Sequence, residues 1–256
     1  MPIPVVVRID GCPGWGPGER SWAWLPFANP VLARAGLLTV AVSVRHSGQA
    51  VFPAQLHDVR AALRWIRRNP LGLPIDPRRI GIWGQSAGGH LAALAGLVRG
   101  GTSGPGRTAE PDVRARSRRT GEPVGCAGSR GTAEPEVRAV VTISGPSDLL
   151  RQGGDLRVDR PSPVTTLVGG DVRTHREQLR AASPITQVAA GAPPFLIVHG
   201  TADETVPYEH AERLHHALLA VGARSRLLPI VGGDHDLRDD RYAVANEAAR
   251  FFREAL

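Results

Sequence analysis

The chain has 256 residues and a formal net charge of +7, a length that suits one α/β domain. All 31 basic residues are arginines, and they are spread along the chain without interleaved aromatic residues, so we expect no nucleic-acid partner. Two cysteines, Cys12 and Cys126, exclude a disulfide framework, and no Cys/His spacing indicates a metal site. The longest apolar runs have strand length and no signal-peptide pattern opens the sequence, so we predict a cytoplasmic protein without a membrane partner.

Strands and helices are predicted to alternate over the first hundred residues. Short apolar runs, most of them rich in β-branched residues, predict buried strands at residues 4–9, at residues 37–44 and directly before Ser86. Apolar residues recurring at helical spacing predict helices at residues 22–35 and 54–69. Residues 70–77 are expected to form a turn that leads into the third strand.

The alternation stops between residues 100 and 135. This stretch is rich in Gly, Arg, Ser, Thr and Pro, and it contains a repeat: T-A-E-P-D-V-R-A at residues 108–115 returns as T-A-E-P-E-V-R-A at residues 132–139. Only the second copy continues into an apolar strand, residues 137–144. We therefore predict a duplicated loop insertion that is mobile or loosely packed, with a functional lid as the alternative.

The alternating pattern resumes after the insertion. We predict a turn at residues 145–150, and then the elements at residues 172–182 (helix), 195–199 (strand), 208–221 (helix), 224–231 (strand) and 241–255 (helix). Residues 151–183 lie between core strands and are predicted to form a small cap-like segment. The whole pattern predicts a single domain over residues 1–256, built on a mostly parallel sheet with helices on both faces.

A G-x-S-x-G motif, reading G-Q-S-A-G, lies between the third strand and the following helical pattern. A serine at the apex of such a turn stands clear of the sheet, and small neighbours, here Gly84 and Gly88, allow strand and helix to approach closely. The helix that follows presents unpaired N–H groups where an anionic intermediate would form. The motif predicts that Ser86 is a nucleophile, and a glycine-rich packing turn is the alternative.

A serine nucleophile needs a base, and the base needs a carboxylate that orients it. In folds with this turn the three residues come in the order Ser, acid, His, each after the end of a strand. Asp203 and His235 satisfy both conditions. We predict that Ser86 attacks, His235 shuttles the proton and Asp203 orients the imidazole, while Asp148 and Glu204 are rival acids.

The remaining histidines and acids are predicted to lie outside the triad. His57 and His90 fall within helices and are expected to be structural, whereas His199 is expected to pack or hydrogen-bond beside the acid loop. His46 follows a core strand, where it could line the pocket. Surface positions on helices are predicted for His175, His210, His215 and His216. Asp234 and Asp236 are expected to be solvated or to cap their loop.

An oxyanion hole requires backbone N–H groups that point at the developing charge. Ala87 follows the nucleophile and is the first expected donor. Gly11 and Cys12, in the loop after the first strand, are the other predicted donors, whereas Pro13 has no N–H to donate.

As a set, these residues resemble the α/β-hydrolase esterase/lipase branch that includes hormone-sensitive-lipase-like and bacterial feruloyl-esterase-like carboxylesterases. The similarity is carried by residues 52–69, 76–94, 137–150, 183–186 and 193–208, which include D-P-R-R-I-G-I-W-G-Q-S-A-G-G-H-L-A-A-L and P-P-F-L-I-V-H-G-T-A-D-E-T-V-P-Y. The resemblance implies an α/β-hydrolase fold and the same roles for Ser86, Asp203 and His235. It also implies a serine carboxylesterase that hydrolyses small, short-acyl esters through an acyl-enzyme, without a cofactor.

The sequence departs from that family in three places, one of which is the loop around His235: it reads G-G-D-H-D, where relatives usually have a small or apolar residue beside the histidine. Residues 10–15 read D-G-C-P-G-W, where relatives usually carry H-G-G-G-W after the first core strand. The strands that usually precede this point are shortened or missing, which exposes a sheet edge that a homodimer would cover. Two alternatives stay open: an arylformamidase or small peptidase on the same fold, and a weakly active or non-catalytic binding protein.

Overall fold

Six short, largely aliphatic runs form one parallel sheet in the structure, a computed structural model that describes residues 2–9, 25–98, 137–152 and 162–256. The strands are β1 (Ile3–Ile9), β2 (Leu38–Val42), β3 (Ile75–Gln85), β4 (Ala139–Ile143), β5 (Phe195–Gly200) and β6 (Ser225–Ile230). Their order across the sheet is β2-β1-β3-β4-β5-β6, and every neighbouring pair is parallel. The second and third strands therefore lie on opposite sides of β1. In open α/β sheets, such a switch in strand order marks the place where ligands bind, beyond the carboxyl ends of the strands.

Eight helices connect and cover these strands within the described ranges. They are α1 (Leu25–Arg34), α2 (Ala54–Arg68), α3 (Ala87–Leu97), α4 (Leu149–Gln152), α5 (Pro163–Val168), α6 (Arg176–Ala181), α7 (Glu209–Ala220) and α8 (Arg241–Ala255). A 3₁₀ turn at Pro184–Gln187 follows α6. The alternation of strand and helix, the parallel sheet and the single-sheet architecture agree with the sequence prediction.

Side chains that alternate along β1 divide the core into two layers. Val5 and Val7 point into an apolar layer formed with α2, α3 and α7, whereas Val6 points into a second layer formed with α1 and α8. Both layers are apolar and contain aromatic as well as aliphatic side chains, among them Phe195 in the first layer and Trp83 and Phe252 in the second. A buried leucine or valine contributes about 1.5–3 kcal/mol to folding. Helices therefore cover both faces of the sheet, as a buried parallel sheet requires.

Three predicted boundaries were wrong, because apolar spacing does not report strand register, turn closure or the start of a short helix. The turn predicted at residues 70–77 ends earlier, since β3 begins at Ile75, and a register shift against β1 accommodates Pro77 within the strand. The helix predicted from residue 172 begins at Arg176, because Asp171 first closes a turn with the N–H groups of residues 173–175. The turn predicted at residues 145–150 already contains the start of α4.

The predicted insertion at residues 100–135 and most of its repeat lie outside the described residues. So does the first part of the predicted cap-like segment; its second part contains α5 and α6. The cap role stays a prediction. β2 is an edge of the described sheet, with β1 as its partner, and a homodimer through that edge also stays a prediction. In the ranges given above, no helix combines the length and hydropathy needed to cross a bilayer.

His90 connects the central helix α3 to the segment that follows α6. The residue is completely buried, and its Nε2 lies 2.5 Å from the carbonyl oxygen of Ala182, to which it donates. Burial lowers the pKa of His90 from 6.5 to about 4, a shift that the hydrogen bond to Ala182 opposes. As predicted, His90 has a structural position.

This buried imidazole makes stability depend on pH. An unfolded histidine binds a proton below about pH 6.5, whereas folded His90 does so only near pH 4. Stability is therefore full above the unfolded pKa and falls as the pH drops from about 6.5 to 4, by about 3 kcal/mol for this residue. We expect His90→Gln, which keeps a donor for Ala182 but does not titrate, to flatten that dependence in urea unfolding.

The matched control is His57→Gln, because His57 is exposed on α2. This variant should keep the pH dependence of the unmodified protein. Equal slopes of unfolding free energy against pH in the unmodified protein and in His90→Gln would contradict the assignment.

Candidate active site

The three predicted triad residues all lie just beyond carboxyl ends of neighbouring strands. Ser86 follows β3, Asp203 lies three residues after β5, and His235 lies five residues after β6. Because β3, β4, β5 and β6 are parallel neighbours, these loops open at the same edge of the sheet. Residues separated by more than a hundred positions in sequence are thereby brought to one place.

Ser86 occupies a strained turn between β3 and α3. Its backbone has φ 53° and ψ −122°, a conformation that residues other than glycine rarely adopt. The Ser86 N–H donates to the Ile143 carbonyl at 2.8 Å, and the Ser86 carbonyl accepts from His90 N–H at 2.9 Å. These two bonds hold the strained backbone in place, and the side chain remains partly exposed.

Gly84 permits this turn, as the sequence predicted. A Cβ at position 84 would overlap the Gly88 carbonyl, so that strand and helix could not approach as they do. Gly89, directly after the motif, has a similar place, because a Cβ there would lie 2.7 Å from Thr142 Oγ1 on the neighbouring strand. The G-Q-S-A-G-G run therefore sets the distance between α3 and the sheet.

Ser86, His235 and Asp203 form a continuous hydrogen-bonded chain. The Ser86 hydroxyl oxygen lies 3.0 Å from His235 Nε2, and His235 Nδ1 lies 2.8 Å from Asp203 Oδ2. Since a carboxylate accepts only, His235 Nδ1 carries the hydrogen, which leaves Nε2 as an acceptor for the hydroxyl. The Asp203 side chain is fully buried, whereas one fifth of the His235 side chain is exposed.

The buried Asp203 carboxylate is satisfied on both oxygens. Oδ1 accepts from the backbone N–H groups of Thr205 (2.9 Å) and Val206 (2.8 Å), and Oδ2 accepts from His235 and lies 3.2 Å from His199 Nε2. Burial by itself raises the pKa of Asp203, but the bonds from His199, His235 and Val206 outweigh it and hold the pKa well below its usual range. The group is therefore an anion at neutral pH.

The loop that carries His235 is fixed against the loop that carries Asp203. Ala202 N–H donates to the Gly233 carbonyl at 3.0 Å, and Thr201 N–H donates to the Ile230 carbonyl at 2.9 Å. A Cβ on Gly200 would overlap the same Gly233 carbonyl. The sequence analysis missed Gly200, although its place at the end of a buried strand, beside the acid loop, was an available signal.

Residues on either side of His235 also restrain it. Asp234 Oδ1 accepts from the N–H groups of Asp236 and Leu237, so it caps the loop as predicted. The Gln85 side-chain amide donates to the His235 carbonyl at 3.3 Å. Through Gln85 the strand β3, which precedes Ser86, holds the loop that carries His235, a contact that sequence reasoning did not foresee.

The rival acids have other surroundings. Asp148 is buried and pairs with Arg213, whose Nη1 lies 2.6 Å from Asp148 Oδ2. The other carboxylate oxygen of Asp148, Oδ1, accepts from backbone N–H groups of α4. Glu204 is exposed. Of the three candidate acids, Asp203 is the one in contact with His235.

One histidine prediction was wrong. His210 is buried rather than on the surface, and its Nδ1 accepts from the backbone N–H groups of Ser147 and Asp148, both at 3.2 Å. Burial, together with nearby His199, lowers its pKa to about 4. Helical spacing alone did not reveal this, because the loop that covers His210 is distant in sequence. His175 precedes α6 and its Nδ1 contacts Asp171 and Thr174.

The remaining predicted site residues are the oxyanion-hole donors and His46. Ala87, the first residue of α3, lies directly beside the Ser86 turn; the other predicted oxyanion donors, Gly11 and Cys12, lie outside the described residues. The His46 N–H donates to the side-chain oxygen of Gln49, and the His46 carbonyl accepts from the Gln49 N–H; a role of His46 in lining the pocket stays a prediction. Within residues 2–9, 25–98, 137–152 and 162–256, no three His, Cys, Asp or Glu side chains converge to hold a metal ion.

The strand order and the strand–turn–helix position of Ser86 define the α/β-hydrolase fold. Solved structures agree: a truncated carbohydrate esterase from gut microbiota superposes with a TM-score of 0.79 at 29% identity, covering 99% of this chain and 86% of that one. Esterase Est2 of the Planctomycetes species Thermogutta terrifontis superposes with a TM-score of 0.68 at 26% identity, covering 98% and 80%. Other structures of Est2 hold butyrate or are phosphonylated by sarin.

A family model described as BD-FAE matches residues 1–218, and the chain belongs to that family. Esterase LipC of Mycobacterium tuberculosis is 32% identical over 245 residues, which cover 93% of this chain and 54% of LipC. The probable carboxylic ester hydrolase LipM of the same organism is 30% identical over 81% of this chain and 43% of its own. The chain thus spans about half the length of these curated relatives.

The close packing at Gly84 gives a test of the turn. We expect Gly84→Ala to destabilise the protein by about 1–3 kcal/mol, as overpacking does, and to slow the reaction of Ser86 with a fluorophosphonate. Gly72→Ala is the control: Gly72 lies in an exposed turn with open space around it but φ +62°, so it carries a backbone cost alone. Thermal melts and labelling rates compare the two, and equally fast labelling would disprove the packing argument.

Proposed function

We propose that the protein is a serine carboxylesterase acting on small, short-acyl esters. The observation that carries the proposal is the hydrogen-bonded chain from the Ser86 hydroxyl through His235 to the Asp203 carboxylate, with distances of 3.0 Å and 2.8 Å. This arrangement supplies a nucleophile, a base within reach of its proton, and an anion that orients the base. The esterase names of the relatives support the same class of reaction.

In the proposed first half-reaction, Ser86 Oγ attacks the ester carbonyl carbon while its proton passes to His235 Nε2. The carbonyl π electrons move onto oxygen and form a tetrahedral oxyanion. Asp203, which accepts from Nδ1, stabilises the imidazolium that has formed. When the oxyanion collapses, the bond to the leaving alkoxide breaks, and that alkoxide takes the proton from Nε2 and departs as an alcohol.

Water completes the cycle in the second half-reaction. A water molecule gives its proton to His235 Nε2 as its oxygen attacks the acyl carbon. Collapse of the second tetrahedral intermediate breaks the bond to Ser86 Oγ, which recovers the proton, and releases the carboxylic acid. His235 therefore acts first as a base and then as an acid in each half-reaction.

The developing oxyanion needs donors, and Ala87 is the described candidate. Its N–H opens α3, so the partial positive end of the helix favours negative charge there. We propose Gly11 and Cys12 as the other donors. One such donor contributes about 3 kcal/mol to stabilisation of the transition state.

The short-acyl preference is supported by the relatives. Structures of Est2 hold butyrate or propionate, which are acids with short chains. A related structure that binds such acids supports an acyl group of similar length in the substrate of this chain. The small-molecule ester is therefore the proposed partner of this chain.

Loss of the nucleophile is the direct test of the mechanism. We expect Ser86→Ala to lower kcat on p-nitrophenyl acetate by about a millionfold, because the residues of such a triad act as a unit. A panel of acetate, butyrate and octanoate esters should show the highest kcat/KM for the shorter acyl chains. Mass spectrometry should find fluorophosphonate on Ser86 of the unmodified protein.

Ser225→Ala is the control for this experiment. Ser225 is the first residue of β6 and therefore lies at the amino ends of the parallel strands, whereas Ser86 lies beyond their carboxyl ends. It should retain both hydrolysis and labelling. If Ser86→Ala hydrolysed these esters above the rate in free solution, the assignment of Ser86 would be lost.

The two candidate acids can be separated in the same assay. We expect Asp203→Asn to lower kcat by about 10⁴, because an amide cannot hold the required histidine tautomer. Asp148→Asn should keep kcat within about tenfold and instead lose stability, because it removes the partner of Arg213. Steady-state kinetics and urea unfolding give both numbers. The opposite pattern would show that Asp148, and not Asp203, is the carboxylate that orients His235.

A further inference from the structure

A second histidine, His199, contacts the same carboxylate oxygen as His235. His199 is the fifth residue of β5 and is completely buried. Its Nε2 lies 3.2 Å from Asp203 Oδ2 and 2.8 Å from the Val206 carbonyl oxygen. Both acceptors belong to the loop that carries Asp203, so one ring nitrogen contacts that loop at two positions.

We propose that His199 is a positioning residue for the Asp203 carboxylate, which orients it and limits its basicity toward His235. The proposal rests on the function proposed above. It differs from the sequence prediction, which expected His199 only to pack or hydrogen-bond nearby. It makes Asp203 the centre of a His–Asp–His arrangement in which the two rings have different tasks.

The tautomer of His199 follows from its neighbours. A carbonyl oxygen accepts and cannot donate, so the bond to Val206 places the hydrogen on Nε2. That N–H donates to the Val206 carbonyl, and Asp203 Oδ2 lies 3.2 Å from the same nitrogen. Nδ1 of the same ring is buried and makes no hydrogen bond. The ring therefore directs its donor at the loop that carries Asp203, and Nδ1 is left as a buried acceptor without a hydrogen bond.

Orientation is the first consequence. Oδ1 of Asp203 is held by two backbone N–H groups, and Oδ2 is held by His199 from one side and His235 from the other. Three contacts therefore hold the carboxylate in place independently of His235. Such outer contacts fix the direction of a functional side chain.

Charge is the second consequence. The bond from His199 contributes to holding the pKa of Asp203 below its usual range. A carboxylate that already accepts from a second imidazole attracts a proton on His235 less strongly. Hydrolysis needs His235 free of a proton on Nε2, so His199 extends activity toward lower pH.

Other charged or titratable groups surround His199 on several elements. The Tyr208 ring stands edge-on to it, with 6.0 Å between centroids, and His210 of α7 is close enough for His199 to lower its pKa. Asp148 and Arg213 lie beyond His210. Asp203, unlike these four residues, has a side-chain oxygen within hydrogen-bond distance of His199 Nε2. Its carboxylate is therefore the group that a change of His199 affects first.

Two amide substitutions form a matched pair for the test. The terminal amide nitrogen of Gln reaches the position of the histidine Nε2, whereas that of Asn reaches only the position of Nδ1. His199→Gln should therefore keep a donor on Asp203, while His199→Asn removes it at nearly the same size and polarity. His199→Leu removes the donor entirely and serves as a third variant if it folds.

The readout is the pH dependence of kcat/KM on p-nitrophenyl acetate. We expect the acid limb of His199→Asn to move to higher pH by about one unit, the scale of one hydrogen bond to a charged group, with kcat reduced about tenfold. His199→Gln should keep both the limb and kcat near those of the unmodified enzyme. A role in packing alone would change the melting temperature of both variants and leave the limb in place, which would overturn the proposal.

An NMR titration of the His235 ring, with ¹⁵N-labelled histidine, tests the same point without turnover. Its midpoint should rise in His199→Asn and stay in His199→Gln, and an unchanged midpoint in both would overturn the proposal. The proposed function fails separately, through absence of fluorophosphonate labelling at Ser86 in the unmodified protein. In that case the titration still decides whether His199 governs the Asp203–His235 pair.

Discussion

The close approach of α3 to β3 is the constraint on which the site depends. Gly84 lets the strand end directly beneath the Gly88 carbonyl, and the backbone of Ser86 takes a positive φ to turn the chain into the helix. Such a conformation persists only when its surroundings hold it. Here the Ile143 carbonyl and the His90 N–H do so. The serine is thereby displayed at the edge of the sheet with little freedom to move.

A buried carboxylate is the second element, and it joins the loops that follow two neighbouring strands, β5 and β6. Asp203 is out of contact with water, and an uncompensated charge there would be costly. Two backbone N–H groups and two imidazoles compensate it, which ties the loop after β5 to β5 itself and to the loop after β6. The same contacts that make the charge tolerable thus hold the proposed base at hydrogen-bond distance from Ser86. Stability and proposed chemistry share these contacts.

Much of this arrangement could be predicted from particular residues. The apolar runs that became β1, β4 and β5 were unambiguous, because strands buried on both faces of a parallel sheet are continuously apolar. G-Q-S-A-G located the turn, and the order of Ser86, Asp203 and His235 suggested which side chains would meet. Boundaries were less accurate: Asp171 and Pro77 act through turn closure and strand register, which apolar spacing does not report.

The sequence by itself determined the alternation of strands and helices, the parallel sheet and the sharp turn at Ser86, because these follow from local spacing and from glycine at fixed positions. Only the tertiary structure decided which acid contacts His235, since Asp148 and Asp203 both follow strands and differ only in their partners. It alone placed His199 against Asp203 and His210 against the loop at Ser147. Contacts between segments distant along the chain depend on how the sheet is assembled, and no local pattern encodes their distances.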